Sequence, residues 1–188
     1  MSQLTIYSQE EPQQPLMVLN ELSDIARKLA AINIRFERWE ANKKISANAD
    51  QAEIIAMYQD SIDRIMQEYN FGSVDVVHMT PNHPDKVPLR KKFLCEHVHS
   101  EDEVRFFVKG GGLFCLHVDE KIYAVNCQQR DFISVPTGIK HWFDAGEDPS
   151  FSVIRFFTHK EGWIAHYTGD TLAEKFPEYT PPPGTTDD

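Results

Sequence analysis

Apolar residues in the first third of the chain recur every three to four positions, which is the spacing of one face of an α-helix. Leu22, Ile25 and Leu29 follow this spacing and predict a helix over about 21–31. Asn20 stands directly before it, and asparagine is among the residues that most often cap the first turn of a helix. We therefore expect Asn20 to cap the first helix.

A second helix is predicted by a capping signal. Asp50 is followed three residues later by Glu53, which is the capping-box pattern. The apolar positions that follow keep helical spacing, at Ile54, Tyr58, Ile62, Ile65 and Tyr69. Gly72 is expected to end the helix. The helical part of the chain therefore spans about 20–70.

The pattern changes after Gly72, where short segments rich in β-branched and aromatic residues alternate with turn residues. The predicted strands are 74–78, 92–97, 104–108, 113–118, 121–125, 131–135 and 152–158. Many short strands at regular spacing are typical of an antiparallel sandwich or barrel. We expect a mainly β fold, a barrel over about 72–170, with the helices packed outside it.

The length of 188 residues is enough for one domain with a core of its own. We assign residues 1–179 to a single domain. The last residues, 180–188, are rich in proline and contain no apolar side chain large enough to anchor them. They are expected to form a flexible tail.

Charge and composition exclude several classes of function. The chain has 19 Lys and Arg against 29 Asp and Glu, a net charge of −10. This balance argues against a nucleic-acid binder and against docking on an anionic membrane surface. No segment reaches the roughly 18 apolar residues that span a bilayer, the first 20 residues do not resemble a secretory signal, and three unpaired cysteines fit a reducing compartment. We expect a cytoplasmic protein.

The densest cluster of chemically active residues begins at His97. His97 and His99 are two apart, so on a strand both imidazoles face the same side. Glu103 follows after a polar stretch that can turn, and His141 lies in a turn shaped by proline and glycine. Three imidazoles and a carboxylate suit Fe, Ni, Cu or Zn. The sequence therefore predicts a metal site, with surface histidines beside an acidic run as the alternative.

Four protein ligands on an octahedral metal would leave two positions open for a bidentate oxygen ligand. A structural zinc, the main alternative, usually favours cysteine, and this set contains none. We expect the other five histidines to be solvated or held by local hydrogen bonds. They are His78, His83, His117, His159 and His166.

Two arginines lie in the middle of apolar strands. Arg105 shares a strand face with Glu103 and is expected to point towards the metal, where a cation stabilises a bound oxyanion. Arg155 could do the same from a later strand. For each of the two arginines, and for Arg155 in particular, an ion pair with a carboxylate is the alternative. Aromatic residues could line an apolar end of the pocket or belong to the core; they are Phe93, Trp142, Phe143 and Trp163.

The histidine cluster resembles the two sequence motifs of the cupin superfamily. The first reads His97-x-His99-x3-Glu103-x6-Gly110, and the core of the second reads Pro136-x-Gly138-x2-His141. The second motif departs from the pattern at Arg130, in place of the leading glycine, and at Ala145, in place of the trailing asparagine. Neither position is a ligand, so the expected ligand set is unchanged. The resemblance implies a jelly-roll barrel.

Within the cupins, the chain is most similar to the acireductone dioxygenase family. The matching stretches are 36–40, 74–77, 92–94, 96–108, 133–136, 141–144, 161–163 and 168–170. The resemblance covers about 4–177 and includes the helical third, which a generic cupin would lack. It implies one Fe(II) or Ni(II) per chain, held by the residues that match His97, His99, Glu103 and His141.

The resemblance also implies a reaction in methionine salvage. The substrate is the acireductone 1,2-dihydroxy-3-keto-5-methylthiopentene, which reacts with O2. The Fe(II) form of the family gives 4-methylthio-2-oxobutanoate and formate, and the Ni(II) form gives 3-methylthiopropanoate, formate and carbon monoxide. Bacterial members are usually monomers. Arg105 and Arg155 would hold the substrate oxyanion, and Phe93, Phe143 and Trp163 match positions around the pocket that could seat the methylthio tail.

Two other functions stay open at this point. A different cupin enzyme would share the metal site, but the helical third and the 102–107 stretch do not indicate one. A non-catalytic binding module or sensor would need an output domain such as a basic helix-turn-helix. A net charge of −10 argues against such a domain.

Overall fold

Two antiparallel sheets that face each other form the centre of the molecule, in a computed structural model that describes residues 1–159 and 164–181. One sheet contains β1 (Gln3–Ser8), β2 (Pro15–Leu19), β5 (His97–Val98), β7 (Gly112–Val118), β8 (Lys121–Cys127), β10 (Lys140–Asp144) and β12 (His166–Tyr167). The other contains β3 (Arg35–Arg38), β4 (Ser73–Met79), β6 (Glu103–Gly110), β9 (Asp131–Val135) and β11 (Phe151–Phe157). The prediction of a mainly β fold is confirmed.

The order of the strands brings distant parts of the chain together. In the larger sheet the order is β12-β5-β10-β7-β8-β1-β2, and in the smaller sheet it is β3-β9-β6-β11-β4. The short strand β5 therefore lies between β12 and β10, which come from the last third of the chain. This arrangement places residues 97–98 beside residues 141 and 166–167.

The core between the sheets follows from the two-residue period of the strands. In β6, Phe107 belongs to the cluster between the sheets, while Phe106 and Val108 belong to the cluster on the outer side. Phe114 and Phe143 of the larger sheet face Phe107 across the barrel. Burial of such aromatic rings supplies much of the stabilising free energy of a core of this kind.

The helices pack on the outside, as expected, but the second predicted helix is divided. Helix α1 spans Leu22–Ala30, α2 spans Gln51–Met57 and α3 spans Gln59–Tyr69. Tyr58 separates α2 from α3 because its ring is buried edge-on against Phe106, and its hydroxyl accepts a hydrogen bond from the backbone of Lys43 (3.3 Å). Asn20 does not cap α1. Its side chain accepts a hydrogen bond from Gln3 instead (2.8 Å).

The capping box at the start of α2 is present. The Asp50 side chain accepts a hydrogen bond from the backbone of Glu53, and the Glu53 side chain accepts one from the backbone of Asp50, both at 2.9 Å. Substitution of Asp50 by alanine is expected to lower the free energy of unfolding by about 1 kcal/mol, because the first turn loses its acceptor. Urea unfolding measures this loss. Asp50→Asn should keep most of the stability, and equal stability of the alanine variant would contradict the capping role.

One predicted strand is wrong. Residues 92–97 were expected to be extended, but 92–94 form the last turn of helix α4, Lys86–Leu94, and β5 begins only at His97. Pro88 lies in the first turn of α4, where a missing N–H is tolerated. Leu89 and Phe93, four residues apart, pack against the core between the sheets. Because only these two positions of a largely basic helix pack against the core, the sequence shows little of the apolar periodicity by which a helix is predicted.

The first 20 residues contain structure that the sequence analysis missed. In β1, Leu4 and Ile6 alternate with polar residues and are buried between the sheets. Residues 182–188 lie outside the described residues, so the flexible tail stays a prediction, as does the assignment of 1–179 to one domain. Within the described part of the chain, no helix is long and apolar enough to cross a membrane.

Candidate metal centre

Three buried histidines converge at one end of the barrel. His97 of β5 lies directly opposite His141 of β10, and His99 follows one residue after β5 ends. Their ligand nitrogens all lie within 4.8 Å of one another. The two-residue spacing therefore places His97 and His99 on the same side, as the strand period predicts. The order of the strands in the sheet brings His141 to them.

Hydrogen bonds fix which nitrogen of each imidazole faces the cluster. In each ring Nδ1 lies close to a backbone carbonyl oxygen, which can only accept a hydrogen bond, so Nδ1 carries the proton. The acceptors are the oxygens of Cys95 for His97 (2.7 Å), of Ile164 for His99 (3.0 Å) and of Ile139 for His141 (2.8 Å). In each neutral ring Nε2 therefore presents a lone pair, as a metal ligand requires.

The fourth ligand candidate comes from the opposite sheet. Glu103 is the first residue of β6 and is 1% exposed. Its Oε2 lies 2.7 Å from Nε2 of His141 and 3.4 Å from Nε2 of His99. Among the described residues, Oε2 of Glu103 and Nε2 of His141 have no hydrogen-bond partner. Because the His141 proton is on Nδ1, two buried lone pairs face each other, an arrangement that a shared cation stabilises.

The protonation states suit a metal. Burial, reinforced by the neighbouring His141, lowers the pKa of His97 to about 4, and burial also lowers the pKa of His99. Burial alone would raise the pKa of Glu103, but the Arg105 guanidinium and the nearby imidazoles outweigh it and hold that pKa well below its usual range. At neutral pH His97 and His99 are therefore neutral, as metal ligands must be, and Glu103 is ionised.

Arg105 lies beside the cluster, as its position on β6 predicts. Its Nε donates a hydrogen bond to Oε1 of Glu103, the oxygen that does not face the histidines. The guanidinium also stands 4.9 Å from the ring centres of Phe114 and Phe143. Arg105 therefore fixes the orientation of the Glu103 carboxylate, so the pairing with a carboxylate that was the alternative for Arg105 is present, with the expected metal ligand as its partner.

Arg155 lies on the same inner face but has a carboxylate partner. It stands directly opposite Arg105 in the pairing of β6 with β11. Its Nε donates a hydrogen bond to Oδ1 of Asp75 (2.8 Å), and Asp75 is the next residue across, on β4. The ion pair that was the alternative reading for Arg155 is thus present, partly exposed to solvent and next to Arg105.

The aromatic residues divide between the two faces of the larger sheet. Phe143 is buried between the sheets and contacts the half-buried Phe93 of α4 (ring centres 6.2 Å apart). Trp142 points to the other side, against Phe176 (5.9 Å), and does not line the barrel interior. Trp163 lies outside the described residues. Of the expected pocket residues, Phe93 and Phe143 are therefore brought together.

A buried polar network next to the cluster was missed. Glu96 is 1% exposed, and His117 on β7, two strands away from β5 in the sheet order, has its Nδ1 2.7 Å from the Glu96 carboxylate. Thr168 donates a hydrogen bond to the other carboxylate oxygen (2.9 Å). No spacing rule connects positions 96, 117 and 168, so only the fold could reveal this network.

Comparison with known proteins agrees with the geometry. The model of the ARD/ARD′ family matches residues 3–165. The chain is 52% identical over 177 residues to an acireductone dioxygenase from Pseudomonas paraeruginosa, and 51% identical over 177 residues to one from Serratia proteamaculans. Each alignment covers 94% of this chain and 98% of the relative.

A solved structure that carries a metal in its active centre shares the fold of this chain. Acireductone dioxygenase from Bacillus anthracis, with a cadmium ion in its active centre, superposes with a TM-score of 0.77 and 26% identity. The match covers 89% of this chain and 98% of that chain. It confirms the predicted cupin-type fold, and with the sequence matches it shows that the chain belongs to the acireductone dioxygenase family of enzymes.

Proposed function

We propose that this enzyme cleaves the acireductone 1,2-dihydroxy-3-keto-5-methylthiopentene with O2, using one Fe(II) or Ni(II) per chain. The ligands are His97, His99, Glu103 and His141. One observation carries the proposal: Oε2 of Glu103 and Nε2 of His141 are buried, lie 2.7 Å apart and have no hydrogen-bond partner among the described residues. A divalent cation satisfies both lone pairs at once.

The donor set favours a catalytic metal over a structural zinc. Three imidazole nitrogens and one carboxylate oxygen suit Fe(II) and Ni(II), whereas structural zinc sites are usually rich in cysteine. Cys115 and Cys127, which are buried, belong to the hydrophobic clusters and not to the histidine cluster. When bound, the metal supplies Lewis acidity and a template for an oxygen chelate.

Arg105 is proposed to have two roles at this centre. It holds Glu103 so that Oε2 faces the histidines, and it places a positive charge beside the site where the enediolate oxygens bind. Arg155 is proposed to contribute a second positive charge from the neighbouring strand, moderated by its ion pair with Asp75. The Arg105 guanidinium is buried, and low polarity strengthens its effect there, whereas Arg155 is partly exposed.

The apolar end of the site is proposed to seat the methylthio group. Phe143 and Phe93 contact each other, and Phe143 also contacts Phe107 in the core between the sheets (6.2 Å). Trp163 is proposed as a third wall by its match to the family. An apolar wall excludes water and orients the substrate so that its oxygens face the metal ligands.

The remaining parts of the proposal rest on the family and on composition. The role in methionine salvage and the dependence of products on the metal are carried over from the resemblance. A net charge of −10 supports a small-molecule substrate without a nucleic-acid or membrane partner. The monomeric state and the cytoplasmic location stay predictions from the sequence.

Product analysis tests the proposed reaction directly. Metal-free protein is loaded with Fe(II) or with Ni(II) and supplied with the acireductone and O2. We expect formate and 4-methylthio-2-oxobutanoate from the Fe(II) form, and formate, 3-methylthiopropanoate and carbon monoxide from the Ni(II) form. Mass spectrometry identifies the acids, and headspace analysis detects carbon monoxide. The same mixture without protein measures the background oxidation. Background products alone, despite bound metal, would reject the dioxygenase reaction.

A further inference from the structure

Residues 164–168, which follow the long strand β11 in the chain, contact two of the ligand candidates. The carbonyl oxygen of Ile164 accepts the hydrogen bond that fixes Nδ1 of His99 (3.0 Å). Tyr167 pairs with His97 in the ladder between β12 and β5, and their ring centres are 5.8 Å apart. The orientation of two imidazoles therefore depends on where residues 164–168 lie.

Apolar burial does little to hold this segment in place. Ile164 is 61% exposed and Tyr167 is 54% exposed, and β12 consists of two residues at the edge of its sheet. An exposed two-residue edge strand is a weak element, because few buried contacts oppose its local opening. Within the described part of the chain, the ladder with β5 and polar contacts of the segment therefore contribute to its position.

Glu96 provides such a contact. Its Oε1 accepts a hydrogen bond from Oγ1 of Thr168 (2.9 Å), and its backbone oxygen accepts one from the Thr168 N–H (3.1 Å). Its Oε2 accepts a hydrogen bond from Nδ1 of His117 (2.7 Å), whose other ring nitrogen lies 3.0 Å from Oε1 of Gln9. With both oxygens engaged and its side chain fully buried, the carboxylate is held in one orientation.

We propose that Glu96 is a positioning residue for the metal centre and that it acts through Thr168. The Glu96–Thr168 contact holds residues 164–168 so that the Ile164 oxygen stays within reach of His99. His99 then keeps its proton on Nδ1 and its lone pair towards the other ligands. The inference rests on the proposed role of His99 as a ligand. Loss of a hydrogen-bond partner that orients a metal ligand typically lowers the metal affinity by about 10- to 100-fold.

Thr168→Val tests the contact with little change of shape. Valine removes Oγ1, which also accepts a hydrogen bond from the exposed N–H of Asp170 (3.2 Å), and leaves the backbone hydrogen bond to Glu96. We expect Co(II)-loaded protein to lose its metal to excess chelator about 10-fold faster than the unmodified protein. The Co(II) absorption spectrum is expected to change, because the His99 ring is less well oriented. Thr168→Ser restores the hydroxyl and should restore both properties.

Gln9→Ala is the matched control. It removes a side chain from the far end of the same network, beyond His117, without touching residues 164–168. We expect its Co(II) release and spectrum to match those of the unmodified protein. Amide hydrogen exchange of residues 164–168 should be faster in Thr168→Val than in Gln9→Ala, because only the first variant loosens the segment.

The outcomes separate this proposal from the proposed function. Unchanged Co(II) release in Thr168→Val would overturn the positioning role, and so would equal release from the valine and serine variants, which would indicate a packing effect. If His99→Ala also leaves Co(II) binding unchanged, the ligand assignment itself fails. If His99→Ala loses the metal while Thr168→Val does not, only the role of Glu96 is wrong.

Discussion

Replacement of His99 by alanine is expected to remove both the bound metal and the turnover of the acireductone. His99 is buried, and its proton is fixed on Nδ1 by the Ile164 carbonyl, so Nε2 faces the other ligand candidates, 3.4 Å from Oε2 of Glu103. Structural zinc sites with four ligands bind their metal with roughly 10–16 kcal/mol, and on that scale one ligand is worth about 3 kcal/mol, or about 10²-fold in affinity. Metal content after gel filtration and the rate of acireductone loss measure both effects.

The matched control is His83→Ala. His83 accepts a hydrogen bond from the backbone of Asp85 (3.1 Å) and stands outside the histidine cluster. It should keep the metal and full activity. Full metal content in His99→Ala, with unchanged affinity, would contradict the proposed ligand set. A metal-free variant that still binds the acireductone tightly would favour the binding-module alternative, because such binding would depend on apolar contacts alone.

The ligand set could be predicted because it depends on short-range geometry. The two-residue period of a strand places His97 and His99 on one side, and it places Arg105 on the same face as Glu103. The motif spacing then connects His141 to them without knowledge of the sheet order. The structure brings these five side chains together, with the ligand nitrogens of the histidines within 4.8 Å of one another.

Contacts between distant strands could not be predicted. The inner-face position of Arg155 follows from strand parity, but its partner Asp75 depends on the register of β4 against β11, 80 residues apart in the chain. The contact of Glu96 with Thr168 likewise joins positions 72 residues apart. Single-sequence patterns carry no signal for such pairs, since side-chain periodicity specifies a face and not a neighbour.

Local misinterpretations had local physical causes. The apolar pair Phe93 and Leu94 suggested a strand, yet Pro88 fits the first turn of a helix and the basic residues 91–92 fit its last turn. The single helix expected between the cap Asp50 and about residue 70 is broken at Tyr58, whose burial against the sheet outweighs helical continuity. In both cases tertiary packing overrode a weak local preference.

Arg105→Ala is expected to impair metal binding as well as catalysis. From strand parity alone, Arg105 was expected to stabilise the charge of the bound substrate. On that view the alanine variant would keep its metal and lose only turnover. The structure shows that its Nε donates to Oε1 of Glu103, so the variant leaves a buried carboxylate without its main partner. We expect turnover to fall about 10²- to 10³-fold, as for loss of one oxyanion donor, and metal affinity to fall about 10-fold. Steady-state kinetics and chelator competition measure the two effects.

Two further variants separate the roles of Arg105. Arg105→Lys keeps a positive charge but lacks the planar fork, so it should recover stability and some turnover without restoring the orientation of Glu103. Arg155→Ala removes the neighbouring guanidinium, which pairs with Asp75 and not with Glu103, so metal affinity should stay unchanged. Thermal unfolding of each metal-free variant shows whether it is folded. If Arg105→Ala and Arg155→Ala bind metal equally well, Arg105 does not orient the ligand, and its contribution is limited to the charge that faces the substrate.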